Sequence, residues 1–465
     1  MSKELAKRIA EWSVNVSYNK LPPKVVHEAK KRIIDSLGVA LGAFNEEPVR
    51  IARRIAYFSS SSGYAGTIWG TPYKVMADHA TFVNGCATRY FDFNDTYLGK
   101  EALHPSDNIP ALIAVAEAED ADGRRLIEGI IVAYEVAARL ADAYSIRARG
   151  WDHVTYIAIS SAVGAAKIMG LDVEKTRHAI NLAVVANNAL RQTRVGEISM
   201  WKGCAAANAA RNGVFAALLA KYGMTGPAPI FEGEMGFFKL VSMEAFDIPV
   251  MGGERDEPYK ILQTSIKYWP VEYHAMSAVE AALRIVEKHG GPLRPDEIER
   301  IDVKTFDVAY KIIVKDPEKW DPKTRETADH SLPYIIAAAL LDGKIWLDTF
   351  KPQRYLAQDV RKVMAKMKIV VDPEHDALYP EGIKNTIIVT LKDGRRLEES
   401  STYPPGHWKN PLSDTQVEEK FWRLVGDKLA DKDAGKEALK AIWRIEEAEN
   451  ISRILRGLQL KEASR

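Results

Sequence analysis

The chain has 465 residues, 46% of them hydrophobic, and its 64 Lys+Arg against 63 Asp+Glu leave a formal net charge of +1. That length predicts two large domains with ordinary buried cores, and the balanced charge argues against nucleic acid or a membrane surface as partner. Two cysteines, Cys86 and Cys204, give no reason to expect a disulfide framework. They exclude a four-cysteine zinc site and an iron–sulfur cluster held by three or four thiolates of one chain.

The start, MSKELAKRIAEW, sets Glu4 and Glu11 among lysines and lacks an apolar stretch, so it reads as an amphipathic helix rather than a signal peptide. Gly129–Ala138 and Tyr156–Ala166 are the most apolar runs and are too short to cross a bilayer. The expectation is a soluble, cytoplasmic protein.

Pro22-Pro23 opens VVHEAKKRIIDSLGVALGAF, where Val26, Ile33, Leu37 and Leu41 recur at helical spacing. Asn108-Ile109-Pro110 opens ALIAVAEAE, and Asp172 is placed to cap VEKTRHAINLAVVANNAL. Ser199 is placed to cap the alanine-rich run from Trp201 to Tyr222, which Gly223 stops. So many Ala and Gly positions predict helices in close approach. After about residue 266 the texture changes. Ile301–Phe306 alternates with a period of two, Lys368–Val371 is a second strand candidate, and Thr386–Leu391 followed by Lys392-Asp393-Gly394-Arg395 reads as a hairpin. Helical patterns lie between, at Ser277–His289 and Tyr334–Leu341, and return at Gln416–Val425 and Lys436–Leu458. The fold class expected is mainly α: a large all-helical domain (1–265 plus 405–465) with a smaller α+β domain (266–404) inserted before the last helices.

No dinucleotide, P-loop, zinc-protease or serine-hydrolase motif occurs. Asp92-x-Asn94 starts like a calcium loop, but Tyr97 and Leu103 occupy the positions that need Gly and Glu. Five polar segments remain. In Arg89–Asn108, a helix continued from Ala80 would put Arg89, Asp92 and Thr96 on one face, with His104 just before a helix start that favours neutral imidazole. Asp152-His153-Val154-Thr155 precedes an apolar helix, where Asp152 or Thr155 serves equally as a cap. Arg191, Arg194 and Lys202 surround a helix start, a natural place for an anion. Lys267–His274 lies at the presumed domain junction, and Asp329-His330-Ser331-Leu332-Pro333-Tyr334 in the smaller domain. Each segment singly reads as well as a capped loop or a solvated face.

Together they carry a resemblance. Asp92-Phe93-Asn94-Asp95-Thr96 followed by His104-Pro105-Ser106-Asp107-Asn108, then Trp201-Lys202-Gly203, Lys267-x-x-Pro270, Asp329-His330-Ser331-x-x-Tyr334 and Pro404–His407, resemble the MmgE/PrpD family in order and over nearly the whole chain. The resemblance implies a homodimer of two-domain subunits, with a helical domain, an α+β lid and a site in the cleft between them. It implies action on a small tricarboxylate without metal or organic cofactor. The family includes 2-methylcitrate dehydratases and cis-aconitate decarboxylases. The long D-F-N-D-T…H-P-S-D-N form, and Glu272 where decarboxylases tend to carry histidine, resemble the dehydratase branch. By position the family's pocket residues fall on Asp92, Thr96, His104, His153, Lys202, Lys267 and Tyr334; Arg194 is added on charge alone.

Dehydrating 2-methylcitrate means removing a proton from a carbon beside a carboxylate and expelling a tertiary hydroxyl. Without an iron–sulfur cluster this needs fixed cations where charge develops, and a positioned acid and base. The expected roles are His104 and His153 as acid–base pair and Asp92 or Thr96 orienting one imidazole. Lys202 and Lys267 stabilise the aci-carboxylate with Arg194 beside them, and Tyr334 holds the leaving hydroxyl or a carboxylate. The alternatives are a cis-aconitate decarboxylase, or a dehydratase of another tricarboxylate or hydroxy acid on the same fold. More remote is a binding protein that has lost activity.

Overall fold

The computed structural model describes residues 4–59, 63–196 and 198–461. Helix α1 (Leu5–Asn15) is followed by α2 (Pro23–Gly42), whose Pro23 sits in the first turn, where its missing N–H has no partner to lose. After α3 (Glu47–Ala56) a short antiparallel ribbon pairs β1 (Ala65–Thr67) with β2 (Lys74–Met76) and leads into α4 (Ala77–Tyr90). Next come β3 (Asp95–Leu98) and β4 (Ala102–Leu103), then helices α5 (Ile109–Ala118), α6 (Gly123–Ala143), α7 (Val154–Met169), α8 (Val173–Ala186) and α9 (Ala205–Lys221). Strand β5 (Ser265–Ile266) pairs antiparallel with β3, completing a three-stranded sheet of order β4-β3-β5.

Asp172 caps α8 as expected, its carboxylate accepting from Lys175 N at 2.8 Å. Ser199 does not cap the alanine-rich helix. It caps a tight turn over Met200–Gly203, and α9 begins only at Ala205, because Gly203 is a poor helix former so near a start. Every residue of α7 except Lys167 is buried, which is why this helix is apolar all round. Glycines let its neighbours come close: a Cβ on Gly164 would lie 2.7 Å from Leu112 Cδ2 and 2.9 Å from the Gly129 carbonyl oxygen.

The later elements are α10 (Met276–His289), β6 (Ile298–Thr305), α11 (Leu332–Asp342), β7 (Met367–Val371), β8 (Asn385–Leu391) and β9 (Arg396–Ser401). They build a mixed sheet of order β7-β6-β8-β9, in which β6 and β7 run parallel and the other pairs antiparallel. The Asp393-Gly394 turn closes the β8–β9 hairpin with Gly394 at φ +88°, a conformation that suits glycine. Edge strand β9 carries Arg396, Glu398 and Glu399, charges that discourage pairing with another edge. The chain ends in α12 (Asp414–Val425), packed on α2, and α13 (Lys432–Trp443). The expected single helix to Leu458 breaks after Trp443. Acidic residues from Glu446 on disfavour a helix C-terminus, and Asn450 accepts from Ser452 N at 2.9 Å to start a short new helix.

Two compact units emerge: Met1–Tyr90, Asn94–Ile266 and Ser413–Arg465 in one, Phe91–Phe93 and Lys267–Leu412 in the other. The first is helical apart from its short strands, and the second holds the four-stranded sheet. Among the described residues no helix is long and apolar enough to cross a membrane.

Candidate active site

Helix α4 stops at Tyr90, so Arg89, Asp92 and Thr96 do not share the helical face the spacing suggested. Asp92 takes φ +50°, a left-handed conformation that Asp tolerates better than most residues, and Thr96 lies on strand β3.

In the first unit β3 and the turn Pro105–Asn108 bring polar groups together. Asp95 is fully buried; its carboxylate accepts from Ser106 N at 2.9 Å and from the Tyr134 hydroxyl at 2.7 Å. Asn94 donates to Ser106 Oγ at 2.9 Å and to Asp107 Oδ1 at 3.0 Å. Burial pushes the Asp107 carboxyl up to about 7, with Asp95 pushing the same way and the Arg89 and Arg194 guanidinium groups pulling against them. Asp107 Oδ2 is buried with no hydrogen-bond partner among the described residues.

His104 stands between these elements. Its Nδ1 lies 2.6 Å from the Asp95 carbonyl oxygen and 3.2 Å from Thr96 Oγ1, and its Nε2 lies 2.9 Å from Arg89 Nη2. The His153 ring packs edge-on against it, with centroids 5.6 Å apart. His153 immediately precedes α7, where Asp152 accepts from Val154 N at 3.1 Å. The capping reading and the chemical reading of Asp152 therefore both hold, because the same carboxylate also lies 3.2 Å from His153 Nδ1 and 2.8 Å from Arg194 Nε. Burial would raise the Asp152 pKa, but Arg194 and His153 outweigh it and hold this carboxyl below the usual range. Burial drives the His153 imidazole down to about 3 against the pull of Asp152, so the ring is neutral at ordinary pH. Its Nε2 and Arg194 Nη2 are buried without a hydrogen-bond partner among the described residues. Lys202 is buried in the turn Met200–Gly203, which packs beside the turn Arg191–Arg194.

In the second unit Lys267 Nζ donates to Asp92 Oδ1 at 2.7 Å and to the Asp92 carbonyl oxygen at 2.9 Å, both side chains being buried. His330 Nε2 lies 3.5 Å from Asp92 Oδ2, and its Nδ1 lies 2.6 Å from Asp329 Oδ1. The imidazole that Asp92 approaches here is thus that of His330. Asp92, Asp329 and His330 each offer one ligand atom within 4.8 Å of one another. Lys267 beside Asp92, and Arg325 3.5 Å from Asp329, already bring two cationic side chains to those carboxylates. Glu272 Oε1 lies 2.7 Å from His274 Nδ1; burial alone would raise its pKa, but His274, His330 and Lys267 bring it down to about 2. Tyr334 stands apart. It is fully buried in α11, and its hydroxyl donates to the Thr349 carbonyl at 2.5 Å.

The structure therefore joins Thr96, His104, His153 and Arg194 in one cluster, with Lys202 on the adjoining turn, and joins Asp92 to Lys267 in another. Arg89, Asp107, Asp152 and His330 are members that the site reading of the sequence left out; the charge of Arg89 and the Asp-His dipeptides were the available signals.

Residues 7–248 match the MmgE/PrpD N-terminal domain and residues 269–445 the MmgE/PrpD C-terminal domain. The chain is 30% identical over 493 aligned positions to the cis-aconitate decarboxylase of Mus musculus, covering 99% of this chain and 95% of that protein. It is 30% identical over 362 positions to the 2-methylcitrate dehydratase of Escherichia coli (strain K12), covering 73% of each. To the mitochondrial 2-methylcitrate dehydratase of Yarrowia lipolytica (strain CLIB 122 / E 150) it is 31% identical over 384 positions, covering 76% of this chain and 71% of that protein.

Proposed function

Because the chain belongs to the MmgE/PrpD family, we propose that it is a lyase acting on a tricarboxylate, and that it dehydrates 2-methylcitrate to a 2-methylaconitate without metal or organic cofactor. The observation that carries this reading is the state of His153: buried, neutral and with Nε2 lacking a hydrogen-bond partner among the described residues. Dehydration begins with loss of a proton from carbon, and a neutral imidazole accepts one. A trianionic substrate beside it raises its basicity from the value that burial depresses.

In the proposed reaction the C–H bond beside a carboxylate breaks and its proton goes to an imidazole. The electron pair passes through the aci-carboxylate into the new C=C bond, and the hydroxyl departs as water with one proton. Arg194 Nη2 and the ammonium of Lys202 are the donors proposed for the developing charge, held in a buried setting where they need little reorganisation. Thr96 and His104 shape the same cluster. Asp92 and Lys267 form a buried ion pair of the second unit, 2.7 Å apart.

A second reading, cis-aconitate decarboxylation, is favoured by the near full-length alignment with the mouse protein of that name. One experiment separates the two: ultraviolet absorbance with 2-methylcitrate, citrate or cis-aconitate, each in excess EDTA. The expected result is a rise with 2-methylcitrate that survives the chelator. Loss of the cis-aconitate signal with release of carbon dioxide, and no rise with 2-methylcitrate, overturns it in favour of the decarboxylase. A homodimer is the proposed working form. Phe58 at 90% and Ile55 at 54% exposure leave apolar area of the kind a subunit contact covers, and sedimentation velocity tests this.

A further inference from the structure

The two histidines of the first unit differ in what their ring nitrogens touch, and the chemistry of the touching groups fixes where the protons are. A backbone carbonyl only accepts and a guanidinium only donates. The Asp95 carbonyl 2.6 Å from His104 Nδ1 therefore requires a proton on Nδ1, and Arg89 Nη2 2.9 Å from Nε2 requires a lone pair there. We propose that Arg89 is a positioning residue that holds the Nε2 lone pair of His104 and locks that ring as the neutral Nδ1–H tautomer, leaving Nε2 of His153 as the atom that takes the substrate proton.

Protonating His104 at Nε2 would set an N–H against the guanidinium and add a second positive charge 2.9 Å from the first. The ring is thereby removed from proton transfer without being removed from the site. For His153 the directions are reversed. Its Nδ1 faces the Asp152 carboxylate at 3.2 Å, which favours the proton on that nitrogen, and Nε2 is left as the lone pair without a hydrogen-bond partner among the described residues. Arg194 at 2.8 Å from the other Asp152 oxygen keeps that carboxylate ionised and in place. When Nε2 takes the substrate proton, the imidazolium forms beside Asp152. Returning that proton to the departing hydroxide gives water and restores the neutral ring, so atoms and charge balance over the cycle.

The charged and titratable groups of the cluster are Arg89 from α4, Asp95 from β3, Asp107 from the turn before α5 and Tyr134 from α6. Asp152 and His153 at the start of α7, Arg191 and Arg194 from the turn Arg191–Arg194, Lys202 from the turn before α9 and Arg32 from α2 also belong to it. Around His104 the hydrogen-bonding atoms include the Arg89 donor, the Asp95 carbonyl and the Thr96 hydroxyl. His153 has the Asp152 carboxylate 3.2 Å from Nδ1.

This inference rests on the dehydratase reading for the identity of the proton that moves, but its first test needs no substrate. In protein labelled with 15N at histidine, with His104 assigned by loss of its signals in His104→Gln, the ring is expected to show protonated Nδ1 and bare Nε2 unchanged from pH 8 to pH 5. In Arg89→Gln the same ring is expected to titrate near an ordinary histidine midpoint of about 6.5. An Nε2–H tautomer, or an ordinary titration of His104 in the wild-type protein, overturns the proposal whether or not Arg89→Gln folds. The second test is exchange of the substrate C–H with solvent deuterium in 2-methylcitrate. His153→Gln is expected to abolish it, and exchange retained in His153→Gln overturns the proposal. If the wild-type protein neither exchanges nor turns over 2-methylcitrate, the functional reading falls and the tautomer measurement still decides the role of Arg89.

Discussion

The two polar clusters are built from the same residue types and differ in what they do to an acid: Asp107 of the first is pushed up to about 7, and Glu272 of the second is held down to about 2. In the second unit Lys267 meets Asp92 at 2.7 Å, His330 meets Asp329 at 2.6 Å and His274 meets Glu272 at 2.7 Å, while His274 Nε2 is buried without a hydrogen-bond partner among the described residues. In the first unit Asp107 Oδ2, His153 Nε2 and Arg194 Nη2 are buried without hydrogen-bond partners among the described residues. A buried polar group left unpaired costs about 1–3 kcal/mol, and an arrangement that keeps several of them has the composition of a site awaiting a polar ligand. The Lys267–Asp92 pair points to stability and the unpaired His153 Nε2 to chemistry, so substitutions at those two places are expected to fail in different ways.

The largest expected effect is kinetic. His153→Gln should lower kcat by about 10²–10⁴, the usual contribution of a positioned base, with a thermal midpoint within a few degrees of the wild type. A variant that melts early and retains turnover per folded molecule would dissolve the contrast. Lys267→Met should show a dominant loss of stability. It takes away the ammonium 2.7 Å from the buried Asp92 carboxylate, at about 3–5 kcal/mol by urea denaturation. The double variant Asp92→Asn, Lys267→Met should recover much of that loss, because no lone charge is then left. If it unfolds as easily as Lys267→Met, the coupling between the two residues is not the source of the effect.

The same contrast explains what could be read from the chain alone. The β8–β9 hairpin was legible because period-two alternation and an Asp-Gly turn act within a dozen residues. The end of α4 was not. Arg89, Asp92 and Thr96 keep a helical spacing, and only the cluster of turn formers Asp92, Asn94 and Asp95 hints that the chain leaves the helix at Tyr90. Strands of two residues, such as β4 and β5, exist through their pairing with β3 and carry no pattern of their own. Among the site residues, His104 and His153 stood out by type. Their proton positions depend on Arg89, on a backbone carbonyl and on Asp152, which are contacts that periodicity does not encode. Tyr334 shows the converse: its motif suggested a reacting hydroxyl, while folding directs that hydroxyl to the Thr349 carbonyl.

A smaller effect should appear in the pH dependence of stability, and it has opposite sign in the two clusters. Asp107 in the first is held up to about 7, so the folded protein keeps its proton where the unfolded chain, with an ordinary carboxyl near 4, has lost it. Its contribution is fully present below pH 4 and is lost as pH rises through 7. Asp107→Asn removes that term, so its melting temperature relative to wild type should climb from about pH 4 to about pH 7 and then level. A difference that stays constant with pH would mean that Asp107 is already ionised in the folded protein.

Glu272 in the second cluster runs the other way and gives the smallest expected change. Held down to about 2 by His274, His330 and Lys267 against the effect of burial, it stays ionised where an unfolded glutamate, near pH 4.3, takes up a proton. Its contribution is present above that value and is lost as pH falls toward 2. Glu272→Gln should therefore be least stable relative to wild type at neutral pH, and the gap should narrow as the solution is acidified from pH 5 to pH 3. His274 sharpens the reading, because its Nδ1 and its backbone N–H both face the Glu272 carboxylate, at 2.7 and 2.9 Å. Gln keeps an oxygen for the backbone N–H but brings no charge to the ring. A gap that narrows on acidification isolates the charge–imidazole pairing, whereas a gap independent of pH would assign the role of Glu272 to its cap of the Tyr273–Ala275 turn alone.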